Sequence, residues 1–550
     1  MAGKRGIYMA ISTSKTLIAS ATDEVKNKLK RSTGLAGVII ISLSAMLPGI
    51  FVTPTFAADI MGPGIWLAYL LAASVVLPGA LSKSELSSGM PSSGGSYVYL
   101  ERTYGPLIGT ISGLGLWASF LLKSAFALIG FSAYLIAVTT YFDVEISIRV
   151  LSMSALVLIT MVNIFGVSKV KAIQTPIVLS TIGLLLFICI AALFVDDFDA
   201  KRPLTEAFDA SVWSLAEAAA FVFVAYAGVT KVAAIGGEVK NPERNLPAGI
   251  MLSLLIATVL YSVIAYLMMA AIPGEWWLQD GVVVENPIFV FAEKVAGTKF
   301  GIFAAILSVL TMISMALAGI LASSRFLFAM SRDNLLPQPL EEVNVRFETP
   351  HWPILITGVA MALAILYVPL KDVVKLASGF KIMIFIMINT CVIILRRTSK
   401  EYGWNPKYKA PFYPYIHIWG ILAGAVLISF IGTKAFIGGG AAVLSGAATY
   451  YLYGKKHAIL QRTPVQSFRK QFQFSTPAEH ERRLAAFHAA DLGGKNHLTL
   501  REFQSALKAL GFEYSVDESR CIFHNADMDE NGVIDIDEFF LAFAPGSEEE

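Results

Sequence analysis

Long apolar runs separated by short polar segments make up most of the chain. A membrane-crossing helix needs roughly 20 predominantly apolar residues, and twelve candidate spans lie between Gly34 and Tyr453. After Gly454 the pattern changes to a basic stretch and then to acidic, amphipathic segments. The predicted spans lie near residues 34–58, 66–86, 107–141, 146–165, 174–195, within 221–250, and near 248–272, 300–330, 354–368, 373–395, 416–431 and 437–453.

Two of these spans contain a break. The sixth begins as an apolar helix, loosens at Ala227-Gly228, and ends in a polar turn at Pro242–Pro247, from which the next helix is expected to start at Pro247. The first span is interrupted at Pro48-Gly49, five spans earlier. Matching interruptions in two halves of a chain indicate a substrate site between inverted repeats, because an open helix ladder is tolerated in a membrane only where it lines protein or water.

Composition places the bulk of the chain in lipid. Of the 550 residues, 55% are hydrophobic and 15% are charged, whereas soluble proteins carry about 25% charged residues. We therefore predict an all-α membrane protein with twelve transmembrane helices in a five-plus-five inverted repeat with broken helices 1 and 6, two further spans, and a soluble tail. The predicted segments are an N-terminal segment at 1–32, the membrane domain at 33–454, a basic linker at 455–478 and an EF-hand domain at 479–545.

Lysine and arginine positions predict the orientation. Positive residues cluster at one set of span ends, from Lys26–Arg31 and Lys83 to Arg396-Arg397. The opposite ends are sparse or acidic, as at Asp196-Asp197. By the positive-inside rule both termini are cytoplasmic, and an even number of spans agrees with this. The expected location is a plasma membrane or a bacterial inner membrane, and no signal peptide is recognised at the N-terminus.

The most specific motif lies near the C-terminus. Residues 527–538 fit the twelve-residue EF-hand loop, in which Ca²⁺ takes six to eight oxygens and a glycine makes the sharp turn. Gly532 is that glycine, and Ile534 stands where paired loops share a short strand. The predicted ligands are Asp527, Asp529, Asn531, the Val533 carbonyl, Asp535 and a bidentate Glu538.

A second, weaker loop lies one unit upstream, at residues 491–502. It has the first acid and the last, Asp491 and Glu502, but Gly493 and Lys495 stand where oxygen ligands belong and Asn496 replaces the glycine. Lysine would place a cation beside the ion. We therefore expect a structural partner loop and a single tight calcium site in the second loop.

The membrane part resembles the amino acid–polyamine–organocation permeases. LPGIFVTP is similar to the family's glycine-rich span-1 signature, and SELSSGMPSSGGSYVYLERTYGP to its signature after span 2. FVFVAYAGVTKVAAIGGEVKNPERNLP and SSRFLFAMSRDNLLPQPL are similar to its span-6 and span-8 motifs. The four motifs occur in the same order as in the family and cover roughly residues 33–454. The sequence departs from the family pattern at Pro48, Val224 and Gly237.

The resemblance implies a transport site. The substrate carboxylate would meet backbone N–H groups around Gly49 and Ile50, where a half-helix N-terminus carries partial positive charge. The substrate ammonium would meet carbonyls freed near the break in span 6, and the small residues there could equally serve helix packing. The residues of that second segment are Val224, Ala225, Ala227 and Gly228.

Ionisable and hydroxyl residues within the spans leave the coupling ion open. Lys123 lies in the middle of span 3, where a buried charge either belongs to the substrate-binding site, as predicted here, or is a structural cation. Lys231 lies just beyond the break and suits a gate or packing role. The lysine of proton-coupled relatives is missing from span 5, and Ser314 is the nearest hydroxyl to those that sodium-coupled relatives use in span 8. Both H⁺ and Na⁺ coupling stay open.

These features predict a secondary-active amino-acid transporter and not an enzyme, because the spans contain neither a His/Glu metal cluster nor a Ser/His/Asp set. Only Glu217 could bring a carboxylate near the site, which favours neutral substrates. The alternatives are a transporter-like sensor of amino acid or calcium and a cationic amino acid or polyamine permease. The tail is expected to bind Ca²⁺ and to contact the cytoplasmic face of the permease. No nucleic-acid partner is expected.

Overall fold

The computed structural model describes residues 33–542 apart from short gaps at 92–93, 142–146, 166–169, 230, 345–346, 348, 459–462, 471–476, 513–515 and 528–530. The chain divides into two compact units. One comprises residues 20–393 and 405–460, and the other comprises 1–19, 394–404 and 461–550.

Helices account for nearly all of the regular structure of the first unit. Their bounds are α1 Leu35–Met46, α2 Thr53–Met61, α3 Ile65–Gly89, α4 Ser96–Tyr104, α5 Pro106–Tyr141, α6 Ile148–Phe165, α7 Val170–Ala192, α8 Arg202–Thr205, α9 Val212–Tyr226, α10 Pro242–Ala271, α11 Pro287–Ala296, α12 Thr298–Arg332, α13 His351–Tyr367, α16 Tyr415–Phe430, α17 Thr433–Thr449 and α18 Lys455–His457. Between α13 and α16, α14 Leu370–Arg397 begins in the first unit and runs on into the second, and α15 Ser399–Tyr402 belongs to the second unit. A two-stranded hairpin, β1 Leu278–Gln279 and β2 Val282–Val283, lies before α11.

Seven helical stretches among the described residues are long and apolar enough to cross a membrane. They are Thr53–Gly89, Pro106–Tyr141, Gln174–Ala192, Val212–Ala233, Pro242–Ala271, Thr298–Arg332 and Leu370–Arg397. Four apolar helices are shorter: Leu35–Gly49, Arg149–Phe165, His351–Tyr367 and Tyr415–Phe430. This helical membrane architecture agrees with the predicted fold class, while the count of twelve spans and the inverted repeat stay predictions.

Both predicted breaks are interruptions of the α-helix. After α1, a 3₁₀ turn over Leu47–Gly49 with Pro48 in its first positions separates α1 from α2. Because proline lacks an N–H, it suits the start of a helical segment, and Pro54 likewise lies at the start of α2 instead of interrupting a helix. α9 ends at Tyr226, and the chain continues as a 3₁₀ helix over Lys231–Glu238.

Three sequence expectations are corrected. α10 begins at Pro242, after a left-handed Asn241 with φ 44°, so Pro247 lies inside the helix and does not start it. The segment after span 2 is not all loop, because α4 forms within it. Lys83, expected at a span end, is fully buried within α3. Neither a proline inside a helix nor a buried lysine can be located from the pattern of apolar runs alone.

After residue 461 the second unit contains five helices and a short two-stranded sheet among the described residues. The helices are α19 Pro464–Lys470, α20 Pro477–Ala490, α21 Leu500–Leu510, α22 Val516–Ala526 and α23 Ile536–Ala542, and the strands are β3 His497–Leu498 and β4 Ile534–Asp535. β3 pairs antiparallel with β4, with Leu498 opposite Ile534. Five large apolar residues of this unit are packed together in its core, namely Phe487, Phe503, Leu507, Phe523 and Phe539.

Candidate transport site and calcium loops

The two helix breaks cross each other in the core of the first unit. A Cβ placed on Gly49 would lie 2.5 Å from the Cβ and 2.6 Å from the Cα of Ala225. A Cβ on Gly228 would lie 2.5 Å from the carbonyl carbon and oxygen of Ala45. Only glycine permits such close approach of backbone to backbone. The sequence placed these breaks five spans apart, and the fold brings them into direct contact.

The substrate-binding residues predicted in the two breaks lie together at this crossing, whereas Lys123, predicted with them, lies on α5. Ile50, Val224 and Ala225 have no exposed surface, and Ala227 is 3% exposed. Gly49 and Gly228 are also buried. The site is therefore closed in this conformation, with backbone against backbone where the substrate is expected.

Part of the backbone at the breaks already has hydrogen-bond partners. The Ile50 N–H donates to the Leu47 carbonyl at 3.1 Å, and the Ala227 N–H donates to the Val224 carbonyl at 3.1 Å. The Gly49 carbonyl accepts from the Thr53 hydroxyl at 2.8 Å. A substrate that used the Ile50 N–H or the Val224 carbonyl would exchange these short-range turn bonds for its own.

Tyrosine hydroxyls brace the first break from neighbouring helices. Tyr134 on α5 donates to the Phe51 carbonyl at 2.6 Å and accepts from the Ile288 N–H at 3.0 Å. Tyr69 on α3 shares a 2.7 Å hydrogen bond with Thr53, and Tyr226 donates to the Tyr69 carbonyl at 3.1 Å. These contacts hold the two ends of the broken segments to helices outside them.

α14 supports the second break from the other side. The Ser378 hydroxyl donates to the Phe221 carbonyl at 3.1 Å, one turn before the end of α9. Glu217, the carboxylate that could have faced the site, forms an ion pair with Lys375 Nζ at 3.0 Å. Its charge is thus balanced by the protein and not left for a substrate.

Lys123 is buried in α5, with 5% of its surface exposed. Its ammonium has no hydrogen-bond partner among the described residues. The nearby charges that act on it belong to Lys381 and Lys231, so its neighbours are other cations. Sequence reasoning did not single out Lys381, although a lysine inside the apolar run GFKIMIF was a visible signal.

The predicted hydroxyl for ion coupling has a neighbour that the sequence did not indicate. The Ser314 hydroxyl is buried and has no partner among the described residues. One turn earlier on α12, Thr311 shares a 2.8 Å hydrogen bond with Thr181 of α7. Because these two hydroxyls come from different helices, only the packing reveals the pair.

The second EF-hand loop is folded around Asp527. Its carboxylate accepts from the Asn531 N–H at 3.0 Å and the Gly532 N–H at 2.9 Å, and Gly532 has the positive φ of 83° that the turn requires. Glu538 caps α23 by accepting from the Asp535 N–H at 3.0 Å. The predicted ligand Asp529 lies outside the described residues.

The donors of this loop fit calcium chemically, since they are carboxylate, amide and carbonyl oxygens. Among the described residues, no three acidic, histidine or cysteine side chains are already gathered around one point. Glu538 would have to turn from its capping position to reach an ion. Pairing of Ile534 with Leu498 fixes the loop against its partner loop.

In the first EF-hand loop the ammonium group of a lysine pairs with the carboxylate that would bind the metal ion. Lys495 Nζ lies 3.1 Å and 3.3 Å from the two carboxylate oxygens of Glu502, the residue that would bind calcium with both oxygens. The Thr499 N–H and hydroxyl also donate to Glu502. The Thr499 N–H, its hydroxyl and Lys495 together lower the pKa of Glu502 to about 2. The loop is thus neutralised from within the chain, as its sequence suggested.

Broken apolar helices that cross in a closed core define an integral membrane protein of the transporter type. The family profile described as amino acid permease matches residues 17–454, and an EF-hand domain pair matches residues 483–544. The chain belongs to the amino acid permease family, and it carries an EF-hand pair after the permease. The predicted family resemblance is confirmed.

The chain is similar to known transporters over nearly their whole length. The branched-chain amino acid permease BcaP of Bacillus subtilis is 29% identical over 464 residues, which cover 81% of this chain and 97% of the relative. BcaP of Lactococcus lactis is 27% identical, with 76% and 92% covered. The serine/threonine exchanger SteT of Bacillus subtilis is 27% identical, with 78% and 99% covered. The prediction of a transporter and not an enzyme is confirmed.

Proposed function

We propose that the chain is a secondary-active transporter of neutral amino acids that works by alternating access. The observation that carries the proposal is the crossing of the two breaks, where Gly49 and Ala225 are in contact. A zwitterion placed there would find N–H groups near Gly49 and Ile50 for its carboxylate and carbonyls near Val224, Ala225 and Ala227 for its ammonium. Because the crossing is closed, binding and release require the breaks to separate toward one side at a time.

The charges near the crossing favour neutral over cationic substrates. Glu217 is paired with Lys375. Because Glu217 is already paired, a second ammonium group on a cationic substrate would find no unpaired carboxylate at this residue. The similar branched-chain amino acid permeases and the similar serine/threonine exchanger support the same substrate class.

Uptake by the purified full chain in proteoliposomes tests this proposal. Isoleucine, serine, glutamine, lysine and putrescine should be compared, with pH and sodium gradients imposed in turn. We expect the neutral amino acids to be taken up and lysine and putrescine to be excluded. Preferred uptake of lysine would establish the cationic permease instead. A requirement for sodium would point to the hydroxyls around Ser314, and a requirement for a proton gradient would remove them as the coupling site.

The EF-hand pair is proposed to bind calcium and regulate transport from the cytoplasm. The charge pattern puts both termini on that side, so the ion would come from the signalling pool and not be translocated. In the second loop Asp527, Asn531, Asp535 and Glu538 supply oxygens, and Asp529 is predicted to join them. The predicted contact of this domain with the permease stays a prediction.

Calcium control is tested by measuring uptake with the cytoplasmic face buffered at low and then at high calcium. The intact chain should change its rate, whereas the Glu538→Gln variant should keep one rate in both buffers. A chain stopped after Thr463 serves as the matched control without the domain. If the intact chain binds calcium and its rate does not change, the domain has no regulatory role.

A further inference from the structure

Three lysines from three different helices converge inside the first unit. Lys83 on α3 and Lys381 on α14 have 0% and 1% of their surface exposed, and Lys123 on α5 has 5%. Lys83 Nζ lies 5.0 Å from the centre of the Phe385 ring, and Lys381 Nζ lies 5.7 Å from the same centre. Two ammonium groups therefore approach one aromatic ring.

The third lysine belongs to the same group. Lys381 Nζ also lies 4.8 Å from the ring of Phe120, which is one turn before Lys123 on the same face of α5. Coulomb repulsion from Lys381 acts on both Lys83 and Lys123. Lys83 and Lys381 thus share the Phe385 ring, and Lys123 lies one turn from the Phe120 ring that Lys381 also approaches.

No described residue neutralises this cluster. The ammonium groups of Lys83 and Lys123 have no hydrogen-bond partner in the described part of the chain, and the described ion pairs of lysine involve other lysines. Glu85, two residues from Lys83, accepts instead from the Ala410 N–H at 2.8 Å. Aromatic faces attract a cation weakly and cannot offset three buried charges in a low-dielectric core.

The aromatic ring between the lysines is fixed in place. A Cβ on Gly79 would lie 1.6 Å from Phe385 Cδ1, so the ring packs directly on the backbone of α3. On its other side Phe385 contacts Phe223 edge to face, with ring centres 5.6 Å apart. Phe223 adjoins Val224 at the end of α9, which puts the lysine cluster next to the helix break but separated from it by two aromatic rings.

We infer that Lys83, Lys123 and Lys381 form a binding site for a small anion inside the permease. Burial disfavours the charged form of each lysine while it has no partner. An anion bound among them would favour the ammonium form and supply the counter-charge that the described side chains do not. Two sources share this chemistry: an inorganic halide and the side-chain carboxylate of an acidic amino acid. The inference concerns binding and does not rest on the proposed transport of neutral amino acids.

Thermal unfolding of the full chain in lipid nanodiscs, followed by tryptophan fluorescence, tests the inference. Chloride replaces gluconate at constant sodium and ionic strength in one arm, and glutamate replaces glutamine in the other, with gluconate keeping the anion concentration equal. We expect a saturable rise of the unfolding temperature in one arm or both. A rise with chloride alone identifies a halide site, and a rise with glutamate but not glutamine identifies a carboxylate site.

Variants decide whether the lysines are responsible. In Lys381→Met the half-saturating concentration should rise about tenfold or more, because one charge is lost from a low-dielectric site, and Lys381→Arg should retain the effect. Lys371→Met is the matched control, since this lysine lies on the same helix and forms a surface ion pair with Asp59. The inference is overturned if no anion stabilises the wild-type protein saturably, or if the effect is unchanged in the Lys83→Met, Lys381→Met double variant.

Discussion

Gly49 and Ala225 lie in contact although 176 positions separate them in sequence, and a single methyl group added to Gly49 would collide with both Cα and Cβ of Ala225. The two broken helices therefore meet backbone to backbone at the centre of the permease. In the proposed alternating-access mechanism, opening of the site would separate these two residues. Substitutions at this contact report on the opening directly.

We expect Gly49→Ala to abolish transport and to lower the free energy of unfolding by about 1–3 kcal/mol, the usual range for overpacking a tight core. A bulkier change such as Gly49→Leu would also impair folding, because Ala225 opposes it with backbone atoms and not with a flexible side chain. Uptake and thermal unfolding should be measured on the same preparation.

Gly183→Ala is the matched control for this substitution. Gly183 lies within α7 and has nothing within 4 Å of an added Cβ, and alanine in a helix is favoured over glycine by about 0.5–1 kcal/mol. This variant should keep its uptake. Normal uptake by Gly49→Ala would show that the contact between the breaks plays no part in transport.

Lys123→Met should alter transport more than stability. The ammonium is buried without a hydrogen-bond partner, so removing it from the buried interior of the membrane domain should leave folding intact or improve it. The unfolding temperature and the uptake rate should be measured together. Loss of the folded protein would show that Lys123 is a structural cation instead.

One calcium ion should bind per chain, in the second EF-hand loop. Titration calorimetry on the segment 475–550 should give a single tight site, which Glu538→Gln weakens by about 100-fold or more, since even indirect ligand partners contribute 10–100-fold at metal sites. In the first loop Lys495 holds both oxygens of Glu502. Two sites of similar affinity would contradict this arrangement.

Lys495 should also influence how far the pH can fall before the tail unfolds. The folded-state pKa of Glu502 is about 2, below its ordinary value of 4.5, so its contribution to stability is present above pH 4.5 and is lost as the pH falls toward 2. Lys495→Met removes part of this shift, and its loss of helical circular dichroism should begin at a higher pH than in the wild type.

Lys508→Met controls for the loss of a positive charge, because Lys508 lies on the exposed side of α21, the helix that carries Glu502. Its acid transition should coincide with that of the wild type. If Lys495→Met and Lys508→Met shift the transition equally, the pairing of Lys495 with Glu502 is not the cause.

Local signals in the sequence located the breaks and the calcium loops. Pro48-Gly49 and Ala227-Gly228 interrupt the helix ladder through their own backbone chemistry, so the interruptions could be predicted without knowing what packs around them. The EF-hand loops were predictable for the same reason, because ligand types and spacing are written along twelve consecutive residues.

Contacts between distant segments could not be predicted in this way. The closeness of Gly49 to Ala225 and the pairing of Thr181 with Thr311 depend on how helices pack. Lys83 was assigned to a span end because lysine is usually excluded from the membrane interior, and its burial beside Phe385 emerges only from the fold. Sequence patterns therefore locate least well the residues that depart from a general rule, such as a lysine buried in a membrane domain.

Counterflow in proteoliposomes loaded with unlabelled neutral amino acid tests the central claim most directly. Labelled isoleucine or serine outside should accumulate transiently in liposomes that contain the wild-type chain and fail to accumulate with Gly49→Ala. That result is expected of a protein that carries its substrate through the crossing of the two breaks. If the wild-type chain binds these amino acids and shows no counterflow, it is a sensor and the transport account is wrong.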